Sequence, residues 1–255
     1  MFAPLHHDQS LTQLKPSHED PLGIAGVPHA PLKQTTRPIL TGTSVLAIKY
    51  DGGILMTADT LGSYGSLARF KSLSRMRPVG EKTVVGASGD YSDFQYIHGQ
   101  LEELVINDHC QTDGHITTPT AIYNFLSRVM YQRRSKMDPL WNAVVVAGVE
   151  DSRVFLGVVD KLGTSYQEDF IATGFGSYLA IPLLRSGYRE NMSREDAKLL
   201  LESCMRVLFY RDARTINKIQ LSDVTANGVT ISDAYELETD WQFGENVSHA
   251  AEGSW

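Results

Sequence analysis

The sequence predicts an α+β protein in which two antiparallel β-sheets lie face to face, with helices on their outer sides. Three observations favour this fold class. β-branched runs recur as hairpin-like pairs, two amphipathic helical segments follow the first pair, and two more precede the last pair. Because each sheet must bury its apolar face against another layer, this order of elements predicts a layered antiparallel architecture.

The first hairpin is predicted over residues 43–59. Two short β-branched runs, residues 43–50 and 54–59, flank a three-residue connection, Asp51-Gly52-Gly53. Glycine supplies the positive φ that tight hairpin turns need.

Two long helices are predicted next. From Asp90, apolar residues recur at helical spacing, at Phe94, Ile97, Leu101, Leu104 and Val105. Thr118 followed by Pro119 is typical of a helix N-cap and first helical position. The apolar pattern that follows predicts a second helix, which ends near Lys136.

The second half repeats this order. Residues 142–149 and 153–160 read as a hairpin, and a turn at residues 174–177 leads into a helix around residues 178–184. Ser193-Arg194-Glu195-Asp196 resembles a capping box and predicts a longer helix. Strands are predicted near residues 218–224 and 228–232, before a polar tail.

Composition bounds the class of protein. The chain has 255 residues, which fits one core of roughly 200 residues between a loose N-terminus and a short tail. The net charge of −7 argues against nucleic acid as a partner. Two cysteines are too few for a disulfide framework and indicate a reducing compartment. We find neither a secretory signal nor a membrane span, so we expect the cytoplasm, the nucleus or both.

Residues 1–38 differ from the rest of the chain. They hold six of the ten prolines and four of the eight histidines, a composition that resists regular structure and is typical of a prosegment or linker. Elsewhere, His109, Cys110 and His115 have the side chains of a zinc site but fit no usual ligand spacing, so a surface loop is the preferred interpretation and no metal or cofactor is expected.

Thr43 is the most informative candidate for chemistry. A threonine hydroxyl is a weak nucleophile, but when threonine is the first residue its own α-amino group, with a pKa near ~8, can act as the base. Such a threonine requires cleavage between Gly42 and Thr43. Alternatively, Gly42-Thr43-Ser44 only begins a strand.

Several motifs elsewhere in the chain bear on the choice between these two interpretations of Thr43. The stretches 41–45, 61–66 and 86–90, and above all Met130-Tyr131-Gln132-Arg133-Arg134-Ser135-Lys136-Met137-Asp138-Pro139-Leu140-Trp141-Asn142, resemble the proteasome β-type subunits, which are N-terminal nucleophile (Ntn) hydrolases. The resemblance covers residues 35–240. It implies a four-layer αββα sandwich of the Ntn hydrolase type.

The family's active members carry an aspartate sixteen residues and a lysine thirty-two residues after the threonine. Asp59 matches the first position, but Arg75 occupies the second, and a guanidinium cannot give up its proton to act as a shuttle. The family's serine in a Gly-Ser-Gly turn is replaced by Phe175. These departures predict an incompetent site.

Other family positions are kept. Asp212 and Thr215 match an Asp-x-x-Ser element of active members, and Gly86 falls where the family's oxyanion glycine is expected. Asp59 and Asp212 are interpreted as structural, hydrogen-bonded carboxylates that need no catalytic role.

The resemblance implies a non-catalytic β subunit of the 20S proteasome core. Such a subunit completes the β ring and helps to join the two half-barrels for ATP- and ubiquitin-dependent protein degradation. Its expected partners are β subunits of the same and opposite rings, α-ring subunits and assembly chaperones. Removal of residues 1–34 by a cut between Gln34 and Thr35 is expected. The alternatives are an active threonine endopeptidase cut at Gly42-Thr43 and a self-standing hydrolase.

Contacts with neighbouring subunits are predicted at two places. The first is the end of the second long helix, with Arg133, Arg134, Lys136 and Trp141. The second is the tail, residues 241–255, in which Trp241 and Trp255 are typical docking side chains. Disorder of that tail is the alternative.

Overall fold

The computed structural model describes residues 38–111, 116–150 and 153–241. Within these ranges the chain forms four helices: α1 (Tyr91–Cys110), α2 (Pro119–Ser135), α3 (Gly176–Gly187) and α4 (Arg194–Arg211). The strands are β1 (Leu40–Gly42), β2 (Val45–Tyr50), β3 (Gly53–Asp59), β4 (Gly62–Tyr64), β5 (Leu67–Phe70), β6 (Met76–Val79), β7 (Thr83–Asp90), β8 (Asn142–Glu150), β9 (Arg153–Val159), β10 (Ser165–Gln167), β11 (Phe170–Ala172), β12 (Lys218–Thr225), β13 (Gly228–Ile231) and β14 (Tyr235–Glu236).

The described strands form two antiparallel sheets, which confirms the predicted α+β class. One sheet has the order β10-β9-β8-β7-β1-β4-β5, with β6 paired to β7. The other has the order β11-β2-β3-β12-β13, with β14 paired to β12. Side chains from both sheets, such as Val45, Met56 and Val145, form one buried cluster between them. The architecture is therefore the αββα sandwich of the Ntn hydrolase type.

The helices cover the outer faces of these sheets. Phe94 and Leu101 of α1 and Leu126 of α2 pack against the eight-stranded sheet. Leu184 of α3 and Leu201 of α4 pack against the six-stranded sheet. Each helix pair therefore buries its apolar stripe on its own sheet, as the spacing of its apolar residues predicts.

Most predicted element boundaries are confirmed. Asp90 caps α1, the Thr118 side chain accepts from the N–H of Ala121, and Ser193 accepts from the N–H of Asp196. Helix α3 begins earlier than predicted, at Gly176. Each cap satisfies amide donors that the first helical turn would otherwise leave unpaired.

The connection of the first hairpin is shorter than predicted. Tyr50 pairs directly with Gly53, so the loop has two residues, Asp51 and Gly52, and the three-residue connection was wrong. Gly52 alone supplies the positive φ, at 88°. Gly53 belongs to the strand, where Tyr50 and the Val224 carbonyl lie close to its Cα.

Strand β1 was not predicted, and it positions the candidate site. It lies between β4 and β7, with Thr41 opposite both Ser63 and Asp90, and Gly42 opposite Gly89. The N–H of Ile39 also donates to the Asp90 carboxylate. The segment just before Thr43 is therefore an interior strand of the eight-stranded sheet.

Candidate functional site

Thr43 lies at the junction where the chain passes from one sheet to the other. It follows β1 and precedes β2, and its side chain is half-buried. Its hydroxyl donates to Asp212 Oδ2 at 2.5 Å. The geometry therefore holds the threonine hydroxyl in place, and in the uncut chain the Thr43 nitrogen is an amide joined to Gly42.

Asp212 organises the hydroxyl side of Thr43. It is the C-cap residue of α4, and its Oδ2 also accepts from Thr215 Oγ1 at 3.0 Å. Its Oδ1 accepts the backbone N–H of Arg214 at 2.9 Å. The predicted pair of Asp212 and Thr215 is thus brought to Thr43, and the Asp212 carboxylate accepts three hydrogen bonds.

Arg75 organises the opposite side, and only 2 % of its surface is exposed. Its guanidinium donates to four backbone carbonyls and one carboxylate: Thr43 O at 2.7 Å, Ser44 O at 2.9 Å, Asp59 O at 3.1 Å, Ala87 O at 3.3 Å, and Asp59 Oδ1. Because these acceptors come from both sheets and from the junction between them, Arg75 holds the backbone around Thr43 together.

Asp59 is the counterion of Arg75. It is buried, and its second oxygen accepts the N–H of Ile216 at 3.3 Å. Burial raises the pKa of the Asp59 carboxyl above its usual range, while the Arg75 guanidinium and the Ile216 N–H oppose that rise. An ion pair removed from water in this way is expensive to break, because the remaining partner stays buried and charged.

The arrangement lacks the parts that activate a threonine. Arg75 donates to the carbonyl of Thr43, whereas the Thr43 hydroxyl points to Asp212. Guanidinium does not release a proton in proteins, and a carboxylate is a weak base toward a hydroxyl. The geometry therefore supports cohesion of the backbone better than nucleophilic catalysis.

The Gly174-Phe175-Gly176 turn lies next to the same junction. The N–H of Gly176 donates to Ser44 Oγ at 2.8 Å, and a side chain on Gly174 would approach the Ser44 backbone. Phe175 is half exposed, and its ring meets that of Tyr178 with the centroids 6.2 Å apart. The turn that carries Phe175 thus lies beside Ser44, next to Thr43, and the phenyl ring has no hydroxyl to offer.

Gly86 has a different place from the one predicted for it. It pairs with Met76 and Val145 inside the sheet, and a side chain there would collide with Met56 Sδ between the two sheets. Gly89 is the glycine opposite Gly42, and it has a φ of +97°. Core packing explains Gly86, and sequence reasoning missed Gly89.

Comparison with known proteins identifies the family. A profile described as "Proteasome subunit" matches residues 39–224. The chain belongs to the proteasome subunit family. It is 49% identical over 220 residues to the proteasome subunit beta type-4 of Xenopus laevis, covering 86% of this chain and 91% of that protein.

Two further relatives widen the comparison. The beta type-4 subunit of Dictyostelium discoideum is 52% identical over 222 residues, with 86% of each chain covered. The proteasome subunit beta type-7 of Saccharomyces cerevisiae is 43% identical over 236 residues, with 88% of this chain and 89% of that protein covered. The similarity to proteasome β subunits thus extends across nearly the whole chain.

Four of the predicted interface residues contact their own chain in this proteasome-family fold. Arg134 stacks on the Tyr131 ring, and Lys161 lies over the Trp141 ring. Arg133 pairs with Asp138 at 2.8 Å. Trp241 is exposed and contacts the rings of Phe209 and Tyr210.

The predicted interface positions differ in exposure, and some are not described. Arg134 and Lys136 are exposed, and Trp141 is half-buried. The processing residues Gln34 and Thr35, and Trp255 of the tail, lie outside the described residues.

The remaining candidate centres are simpler. His109 and Cys110 end α1, and His115 lies outside the described residues. In the parts of the chain that the structure describes, no group of histidine, cysteine or acidic side chains could hold a metal ion. No helix among those same residues is long and apolar enough to cross a membrane.

Ser44 and Thr173 also serve this site, and sequence reasoning missed both. Thr173 Oγ1 accepts the N–H of Val45 at 3.0 Å, next to the bond between Ser44 and Gly176. Their contacts are with backbone atoms 128 and 132 positions away, so no local pattern could have revealed them.

Proposed function

We propose that this chain is a non-catalytic, structural β subunit of the 20S proteasome core. It completes the β ring and supports assembly and the joining of the two half-barrels, so that ATP- and ubiquitin-dependent degradation takes place at the threonines of other subunits. Its similarity to the beta type-4 proteins over most of the chain supports this role.

One observation carries the non-catalytic part of the proposal. The residues directly before Thr43 form β1, which bridges β4 and β7 inside the sheet. Cleavage at Gly42-Thr43 would release this bridge and leave the β4–β5 hairpin without its only partner strand in the described part of that sheet. A cut upstream of β1 keeps the sheet whole and keeps Thr43 acylated.

The remaining parts of the proposal follow from the family. Partners are β subunits of the same and the opposite ring, α-ring subunits and assembly chaperones, and neither nucleic acid nor a membrane is among them. The chain works in the cytoplasm and the nucleus. Residues 1–34 are removed as a prosegment, and the tail from Trp241 docks on other subunits, helped by the exposed aromatic surface of Trp241.

A second candidate is an active threonine endopeptidase cut at Gly42-Thr43. The observation in its favour is the retained contact of Thr43 with Asp212 and Thr215. In that case the new amine of Thr43 alone serves as the base, and Arg75 holds Asp59 in place.

Replacing Thr43 by alanine in assembled particles separates the two candidates. The structural role predicts unchanged hydrolysis of every class of peptide substrate, because the hydroxyl takes no part in chemistry. Thr41→Ala, in the adjacent strand, is the matched control for effects on folding and assembly. Loss of one peptide specificity in Thr43→Ala alone would establish the endopeptidase instead. Intact mass of the mature chain gives an independent readout: a start at Thr35 fits the structural role, and a start at Thr43 contradicts it.

A further inference from the structure

One end of the molecule carries positive side chains stacked on aromatic rings. The end of α2, the loop after it and the turn between β9 and β10 meet there. We call this the cation–aromatic surface and define it by six residues: Tyr131, Arg134, Lys136, Met137, Trp141 and Lys161. The Arg134 guanidinium lies 5.6 Å from the centre of the Tyr131 ring, and Lys161 Nζ lies 3.9 Å from that of Trp141.

The positive charges of this surface are not neutralised within the described chain. Arg134, Lys136 and Lys161 have no ion pair there, whereas Arg133 beside them is paired with Asp138. A cation that stacks on a ring face keeps its N–H groups directed outward and can still bind an anion. The two stacked cations, Arg134 and Lys161, and the exposed Lys136 therefore make a local excess of positive charge on a chain whose net charge is −7.

The carboxylates on the same elements are already occupied. Asp93 accepts the N–H of Trp141 at 2.9 Å, and Asp138 binds Arg133. Asp160 accepts the N–H groups of Leu162 and Thr164 at 2.8 and 2.9 Å. Because these acids serve their own backbone and side chains, the complement to Arg134, Lys136 and Lys161 must come from outside the described residues.

The conformation and exposure of Met137 indicate that this surface contacts a partner rather than water. It follows the end of α2 with a φ of +56°, a conformation that helix ends usually assign to glycine. Its side chain is 83% exposed. A methionine that accepts both an unfavourable backbone conformation and exposure to water gains nothing within this chain, but it suits an apolar pocket on a partner.

The Trp141 ring is held at this surface by its own chain. Lys161 lies over its face, and its backbone N–H donates to Asp93. Its indole N–H is buried and has no acceptor among the described residues, but it is too enclosed for a partner to reach. The surface that a partner can reach is thus incomplete in charge and in apolar contact.

We propose that the cation–aromatic surface docks a carboxylate-bearing, partly apolar segment of a neighbouring subunit in the proteasome core. This inference rests on the proposed function, because it assumes that the chain enters that assembly. The carboxylates face Arg134, Lys136 and Lys161, and an apolar side chain of the same segment packs on Met137. Acidic side chains are expected on the partner because they supply the negative charge that complements these three cations.

Charge reversal tests the proposal in the full chain during assembly. The double variant Arg134→Glu, Lys136→Glu removes two outward cations and breaks no ion pair of the described chain. We expect its incorporation into assembled particles, measured in competition with the unaltered chain, to fall about tenfold, since like charges at an interface are strongly unfavourable. Lys82→Glu, Arg153→Glu has the same change in charge at exposed positions elsewhere and should incorporate normally.

A crosslinking residue identifies the partner without relying on that variant. A diazirine-bearing residue in place of Met137 should crosslink, in the particle, to a segment of another subunit that contains aspartate or glutamate. Crosslinks only within the chain, or to a segment without acidic residues, would overturn the inference. Equal incorporation of the two double variants would overturn it as well. Failure of the unaltered chain to enter particles would refute the proposed function instead.

Nucleic acid is the other polyanion that binds stacked cations and aromatic rings. Fluorescence anisotropy of a labelled single-stranded RNA with the full chain decides this point. We expect no binding at physiological salt. Binding that Arg134→Glu, Lys136→Glu abolishes would assign the surface to nucleic acid and overturn the protein partner.

Discussion

The two sides of Thr43 each contain a buried carboxylate, but they differ in what the carboxylate binds and in how deeply its partner is buried. On the carbonyl side, Asp59 faces a fully buried guanidinium, and the pair lies between the sheets. On the hydroxyl side, Asp212 accepts from two hydroxyls and one amide, next to a half-buried Thr43. The comparison teaches that a retained catalytic-type residue can be structural, and that burial decides how strongly the fold depends on it.

The largest expected effect comes from breaking the buried side. Arg75→Met removes all the donors that bind the junction and leaves the Asp59 carboxylate buried without a counterion, so we expect a loss of about 3–5 kcal/mol in the free energy of unfolding. Urea unfolding of the chain measures it. Arg77→Met, at an exposed position two residues away, is the matched control and should change the stability by less than about 0.5 kcal/mol. A cost for Arg75→Met no larger than that of its control would show that Arg75 does not hold the site together.

The pH dependence of stability tests the role of Asp59 on the same, buried side of Thr43. Burial raises the folded-state pKa of Asp59, and without Arg75 nothing of opposite charge counters that rise. A raised carboxyl pKa makes protonation favour the folded state. The stabilising contribution is therefore complete below the unfolded pKa of about 3.9 and is lost as the pH rises through the higher folded-state pKa.

We therefore expect Arg75→Met to lose stability from about pH 4 upward, relative to the double variant Arg75→Met, Asp59→Asn. The double variant has no carboxylate at position 59. All other titrating groups are common to both variants, so their contributions cancel in the difference between the two free energies of unfolding. Urea unfolding of both variants across this pH range gives the difference. Parallel pH profiles for the two variants would mean that Asp59 is hydrated or has found another cation.

The contrast between the two sides also shows what the sequence could predict. Strong apolar spacing and caps predicted the start of α1 and both ends of α2 almost to the residue. The strand β7 was missed because Gly86 and Gly89 interrupt the β-branched pattern that identifies a strand. The strand β1 was missed because it has only three residues and exists through its pairing with β4 and β7.

The site divides in the same way. The positions of Thr43, Asp59, Arg75 and Asp212 follow from family spacing, and the structure brings them together. The acceptors of Arg75 were unpredictable, because four of the five are atoms of the backbone, which carry no signature in the sequence. The misplaced role of Gly86 has a related cause, since two glycines three positions apart cannot be told apart without the register of the strand.

The smallest expected effect belongs to the hydroxyl side. Asp212→Ala removes the acceptor of Thr43 Oγ1, Thr215 Oγ1 and the Arg214 N–H, but two of these three hydrogen bonds are only partly buried, so water can replace part of what is lost. We therefore expect a loss of about 1–2 kcal/mol in the free energy of unfolding, well below that of Arg75→Met, with unchanged peptide hydrolysis by the particle. Asp233→Ala, an exposed acid on the same half of the chain, is the control. If Asp212→Ala cost as much as Arg75→Met, the two carboxylates would be equally structural; if it abolished a peptidase specificity, the hydroxyl side would have kept a catalytic function that the carbonyl side lacks.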